Sequence, residues 1–252
     1  MDFTSERTLN NGLRERRFTT AGADGRAVPG VLWTRPGAAS GAPLVLVGHG
    51  GSGHKDDDGT AHTRDAFTLA HGIATAAIDG PVHGERGGVT SILEPAYAEL
   101  WKSPTAVDDM VTDWTRTLDA LLGLDEFDAS RVGYHGLSMG TLFGLPLVAA
   151  EPRIRLAVLG LCGFRGTSMV RTGIAPRLAQ DAPRITCPVY YHVQWDDERF
   201  DRDSAFELYG MLGSTDKRLQ STPGLHGGVG AEARDALRGW LADRLLATPA
   251  SK

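Results

Sequence analysis

Short apolar runs alternate with helical stripes along this chain, and no other feature constrains its fold as tightly. Residues 43–47 (PLVLV) form a continuous apolar run of the length of a strand buried on both faces. Residues 63–71 carry Ala66, Phe67 and Ala70 at helical spacing, with Gly72 placed to cap the end. Residues 73–78 read as the next strand. The clearest helix spans 105–122, where Val107, Met110, Val111, Trp114, Leu118, Leu121 and Leu122 fall on one stripe. Strands are expected at 27–34 (paired with 16–20), 131–135, 154–161, 188–193 and 218–221. Residues 139–150 read as a buried helix that Pro146 kinks or ends, and 204–212 as another that Gly213 stops. Ala233, Ala236, Leu237, Trp240, Leu241 and Leu245 mark a closing amphipathic helix. This order predicts an α/β fold with a mostly parallel central sheet and helices on both faces. Right-handed crossovers then gather the strand C-termini on one edge, where chemistry belongs.

Composition narrows the class. The 252 residues carry 26 Lys and Arg against 31 Asp and Glu, a formal charge of −5, and 41% are hydrophobic. That excludes a disordered chain and makes nucleic acid a poor partner, since phosphate binding needs a basic face. No run approaches the roughly 20 apolar residues of a membrane span. The polar start, residues 1–17, shows no leader peptide, and two cysteines, Cys162 and Cys187, make no disulfide framework, so a cytoplasmic setting is expected. There is no linker-like segment and no internal repeat. One domain over 1–252 is expected, with 247–252 as a frayed tail.

The strand at 131–135 runs into Gly136-Leu137-Ser138-Met139-Gly140, a G-x-S-x-G between a strand and an apolar helix. A turn this sharp needs glycine on both sides, and it lifts the serine above the sheet edge at a helix N-terminus. Ser138 is therefore the candidate nucleophile; the plainer alternative is a βα turn with a serine cap. A tetrahedral intermediate needs two N–H donors. Met139, following the serine, offers one. The glycine loop His49-Gly50-Gly51-Ser52-Gly53-His54-Lys55 offers the other, at Gly51. His49 is expected to hold that loop. The phosphate-loop pattern is absent here, and Asp56-Asp57-Asp58 read as a solvated acidic loop whose spacing to His54 or His62 matches no metal motif.

A serine nucleophile needs a base and an orienting carboxylate. After Ser138 only His192 and His226 remain. His192 lies inside a strand, whereas His226 sits in the loop Pro223-Gly224-Leu225-His226-Gly227-Gly228, after the last strand and before the last helix. His226 is the candidate base. The acid lies in Gln194-Trp195-Asp196-Asp197-Glu198-Arg199-Phe200, where either aspartate could reach His226 and Asp197 is preferred.

In this order, these segments resemble the α/β-hydrolase superfamily, and within it the compact dienelactone-hydrolase-like branch. The resemblance covers roughly residues 31–246. It rests on HGGSGHK at 49–55, DGPVHGER at 79–86, GLSMG at 136–140, QWDDERF at 194–200 and PGLHGG at 223–228. Gln194 stands where relatives commonly have a glycine, and that alignment places Asp197 on the acid. The resemblance implies a structural loop at 79–86 held by Glu85 and Arg86. Dienelactone hydrolase itself uses a cysteine, so Ser138 implies a serine esterase instead.

Only 87–104 and 163–183 could hold extra structure, so the cap is expected to be small or absent and the substrate a modest ester or thioester. Tyr97, Trp101, Phe164 and Met169 are the candidates for lining an acyl pocket, and each could equally pack locally. Trp195 either walls the site or covers the core. The expected function is serine hydrolysis of a small ester or thioester through an acyl-enzyme, with no cofactor or metal. The alternatives are an acyltransferase or peptidase using the same triad, or a non-catalytic scaffold. An edge strand or the final helix could make a homodimer, but no residue specifies one.

Overall fold

The structure is a computed structural model that describes residues 1–38 and 40–247; the tail expected beyond 247 lies outside them. Nine strands form one sheet: β1 (Asp2–Thr8), β2 (Arg14–Ala21), β3 (Ala27–Thr34), β4 (Ala42–Gly48), β5 (Ala74–Ile78), β6 (Phe127–Gly136), β7 (Ile154–Gly160), β8 (Val189–Gln194) and β9 (Lys217–Thr222). Their spatial order is β1-β2-β3-β5-β4-β6-β7-β8-β9. The first three strands are antiparallel, and every pairing from β5 to β9 is parallel. The helices are α1 (Asp58–Arg64), α2 (Pro95–Leu100), α3 (Ala106–Leu122), α4 (Met139–Ala150), α5 (Thr167–Thr172), α6 (Ala175–Asp181), α7 (Arg202–Met211) and α8 (Ala231–Leu246).

The run at 43–47 is buried on both faces, as its unbroken apolar character requires. Leu44 and Leu46 enter one core, and Val45 and Val47 the other. α3, α4 and α6 cover the first face, where Met110, Trp114, Leu118 and Leu121 bury the stripe read from the sequence. Burying side chains of this size stabilises by about 1.5–3 kcal/mol each. α8 covers the other face through Leu237, Leu241 and Leu245. Pro146 lies inside α4, which continues to Ala150.

Four expectations need correction. β1 was not anticipated, because all seven of its residues are exposed and no alternation marks it. It is held by its ladder to β2 and by the Arg14–Glu6 and Arg7–Glu15 pairs. The helix expected at 63–71 starts earlier, because the Asp57 carboxylate accepts the Thr60 N–H and nucleates α1; a π-helical turn, Asp65–Leu69, then leads to Gly72 at φ +71°. Asp56–Asp58 is therefore no mere solvated loop: Asp57 caps, and Asp56 pairs with Arg17 and His54. Finally, Glu85 and Arg86 do not form a buried pair. Glu85 is 61% exposed and meets Lys55, while Arg86 binds Asp113. The buried centre of that loop is Lys55–Asp79, at 2.9 Å. The small cap is as expected: among the described residues its α-helices are α2, α5 and α6, of six, six and seven residues.

Candidate active site

The C-terminal ends of β4, β6, β8 and β9 lie on one edge of the sheet and deliver the loops that carry the candidate groups. After β6 the chain turns abruptly, and Ser138 adopts φ 58°, ψ −120°, a conformation costly for a residue with a side chain. Glycine flanks it for steric reasons. A Cβ on Gly136 would lie 2.6 Å from the Gly140 carbonyl, and one on Gly140 would lie 2.6 Å from the Gly48 carbonyl. The strain is over-determined by neighbours. Ser138 N–H donates to Gly160 O at 3.0 Å, and Tyr134 O–H donates to Gly140 O at 2.6 Å. Thr141 Oγ1 lies 2.9 Å from Gly136 O and 2.7 Å from Gly160 O.

His226 Nε2 lies 2.8 Å from Ser138 Oγ, and His226 Nδ1 lies 2.9 Å from Asp197 Oδ2. The carboxylate can only accept, so Nδ1 carries the proton and Nε2 is left to accept from the serine hydroxyl. The side chains of His226 and Asp197 are 6% and 4% exposed. Asp197 Oδ1 also accepts the N–H groups of Arg199 at 2.8 Å and Phe200 at 3.0 Å, so the turn that follows β8 fixes the carboxylate. Phe200 stacks on the imidazole with centroids 5.5 Å apart. The neighbouring Asp196 faces elsewhere: its carboxylate accepts the Gly224 N–H at 3.1 Å.

Two residues to which the sequence assigned no role in the site hold the histidine loop. Glu198 accepts the His226 N–H at 2.8 Å, and this bond draws its carboxyl below the usual range. Gln194, fully buried, donates from Nε2 to Leu225 O at 3.0 Å, while its Oε1 receives the Thr222 hydroxyl. Gln194 was legible only as a departure from the glycine of relatives.

The Gly51 and Met139 N–H groups donate to no protein acceptor among the described residues. Gly51 has no room for a side chain, since a Cβ would meet Ile92 at 2.7 Å. The peptide that carries its N–H is oriented from behind. Gly50 O accepts His49 Nδ1–H at 2.8 Å and the Gly53 N–H at 3.0 Å, which fixes the opposite N–H of the same trans peptide. His49 Nε2 in turn accepts the Gly80 N–H at 2.9 Å. Burial lowers the His49 pKa to about 4, so the ring is neutral, as this donor–acceptor pattern requires.

A cleft of about 460 Å³ opens beside Ser138 and His226. The candidates for pocket lining, Tyr97, Trp101, Phe164, Met169 and Trp195, do not line this cleft. Tyr97 is buried edge-on to His83, Trp101 stacks on Phe143 at 4.9 Å, and Phe164 packs against the main core. Trp195, just past the end of β8, is 49% exposed under the Arg202 guanidinium. The cleft instead runs between α1 and α8, past Leu137, Leu161 and Val229.

No protein-family model matches the chain, and no curated protein sequence does. A solved structure does: a cold-adapted esterase from an Arctic intertidal metagenomic library is 34% identical over 97% of this chain and 99% of its own, with a TM-score of 0.85. The chain belongs to the α/β-hydrolase superfamily. Two more distant structures share the hydrolase fold. The acetyl xylan esterase of Paenibacillus sp. R4 is 20% identical, with a TM-score of 0.77 over 96% of this hydrolase and 87% of its own length. Acetyl xylan esterase 1 of Thermoanaerobacterium sp. JW/SL YS485 is 17% identical, with a TM-score of 0.74 over 98% and 89%. Among the described residues of this hydrolase, no helix is long and apolar enough to cross a membrane.

Proposed function

We propose that this α/β-hydrolase is a serine esterase that cleaves small carboxylic esters or thioesters through an acyl-enzyme. The observation that carries the reading is the continuous relay Asp197–His226–Ser138, with bonds of 2.9 and 2.8 Å at the edge of a parallel sheet. Esterase neighbours support ester hydrolysis on this fold.

The chemistry follows from the geometry. As Ser138 Oγ bonds to the acyl carbon, its proton passes to His226 Nε2, and Asp197 stabilises the imidazolium that forms. The carbonyl π pair moves onto oxygen, facing the Gly51 and Met139 N–H groups at the start of α4. Collapse breaks the bond to the alcohol or thiol, which leaves with the proton from His226. Water then attacks the acyl-enzyme, gives its proton to the same nitrogen and releases the acid and free Ser138. Every atom is supplied by substrate, water and these side chains. The short cap favours small substrates over a peptide chain.

The test is a fluorophosphonate probe on wild type and Ser138→Ala, run beside p-nitrophenyl acetate and longer-chain esters. Labelling and turnover that vanish together in the variant support the reading. A folded wild type that resists the probe overturns it in favour of a scaffold.

A further inference from the structure

The lining of this cleft is predominantly positive. Arg199, Arg234 and Arg238 belong to it, while Asp57 is its lone acidic residue among the described residues, in a chain of net charge −5. The Asp57 carboxylate is engaged at the start of α1, where it accepts the Thr60 and His54 N–H groups. It makes no ion pair within 4.0 Å with any of the three arginines among the described residues. Arg199 has Glu198 at 3.5 Å. Arg234 and Arg238, one turn apart on α8, have no carboxylate within 4.0 Å among the described residues; Asp235, next along the helix, lies beyond that distance.

Arg238 is the more constrained of the two. It is half-buried, and of its five N–H donors one finds a protein acceptor among the described residues: Thr63 Oγ1, at 3.0 Å. Its Nε is buried without a partner. Burial, with Arg234 beside it, pulls the guanidinium below its ordinary pKa. His135, also in the lining, is buried with its pKa lowered to about 3, so it stays neutral and adds no positive charge beside the arginines. By contrast Arg16 is bidentate to Glu126, and Arg86 binds Asp113. A positive group held half out of water without a counter-ion is unfavourable for the free protein, and a planar carboxylate relieves it.

We propose that the cleft selects esters bearing a second, free carboxylate, and that Arg238, supported by Arg234, receives that carboxylate while Ser138 attacks the ester. This rests on the serine-esterase reading above. Half-esters of short dicarboxylic acids fit the chemistry, and their hydrolysis yields a dicarboxylate and an alcohol by the same steps.

The experiment compares kcat/KM for matched pairs. Monomethyl glutarate is set against methyl pentanoate for a charge on the acyl side, and acetoxyacetate against ethyl acetate for a charge on the alcohol side. The expected result is a preference of about tenfold or more for one anionic member, falling with added salt. Glutarate should also inhibit competitively. In Arg238→Gln the anionic-to-neutral ratio should collapse toward one, mainly through KM, while Arg238→Lys keeps part of it. Melting curves identify a variant that fails to fold, and in that case the salt dependence and the glutarate inhibition of the wild type decide. Equal or better use of both neutral esters overturns the anion site while the Ser138 reading stands. No hydrolysis of any ester together with no probe labelling overturns both.

Discussion

Gln194 Nε2 donates to the carbonyl of Leu225 at 3.0 Å, one residue before His226. The side chain is buried at the end of β8 and ties the histidine loop to the strand that also launches Asp197. His226 and Asp197 are thereby fixed to the same strut. Replacing Gln194 with Ala leaves the Leu225 carbonyl and the Thr222 hydroxyl unpaired, at a cost of about 1–3 kcal/mol. Urea unfolding should report that loss. Steady-state kinetics should show kcat down about tenfold with KM little changed, because a loosened His226 weakens proton transfer and leaves substrate contacts intact.

Ser138 carries its strain in its backbone, at φ 58° and ψ −120°. Ser138→Ala should abolish turnover without relieving that strain. Ser138→Gly should abolish it equally and be more stable than the Ala variant by about 1 kcal/mol, since glycine adopts this conformation freely. Comparison of the two melting midpoints checks this, and equal midpoints would count against a strained elbow.

Acid should destabilise the protein before its carboxylates titrate. His49 and His135 are buried, with pKa values lowered to about 4 and about 3, the latter by burial and then by Arg238. Once unfolded, both titrate near 6.5. Between pH 6.5 and about 4 the unfolded chain takes up protons that the native rings refuse, so stability falls as pH falls across that window. Each unit of separation is worth about 1.4 kcal/mol, so the pair together removes several kcal/mol. Urea unfolding at stepped pH should give this slope, and His135→Phe should flatten it.

Lys55–Asp79 is the most buried ion pair of the loop network, with side chains 3% and 0% exposed. Asp79 also accepts the N–H groups of Lys55 at 3.0 Å and Glu85 at 2.9 Å. Asp79→Ala leaves the ammonium with only the exposed Glu85, and should cost about 3–5 kcal/mol in chemical denaturation. Glu85→Ala, at the solvent side, should cost under about 1 kcal/mol.

The parallel half of the fold was legible because its strands are short apolar runs and its helices carry stripes, as in β4 and α3. β1 was not, because an exposed edge strand is held by backbone bonds that leave no hydropathy pattern. Ser138 and His226 were chosen as candidates from chain order and from their places just after strands, and Asp197 from the resemblance that aligns it on the acid. What separates Asp197 from Asp196 is a turn in which two N–H groups converge on one carboxylate, and composition does not encode that. The aromatic lining was misjudged for a related reason. Beyond a strand's last residue the side chain's direction depends on the turn, so Trp195 faces Arg202 instead of the cleft. Arg234 and Arg238 went unnoticed because, in sequence, they are charges on an amphipathic helix.

The candidate catalytic groups and N–H donors come from loops after β4, β6, β8 and β9, spread from Gly51 to His226. No local piece of chain contains them, and each position is set by a parallel pairing between distant segments. Such pairings close late, because a long loop must be ordered first. Regain of turnover after dilution from denaturant should therefore clock the pairing of β6 with β4, where Leu44 faces Val132 across the longest intervening segment of the parallel pairs, after tryptophan fluorescence has registered the collapse around Trp33 and Trp114.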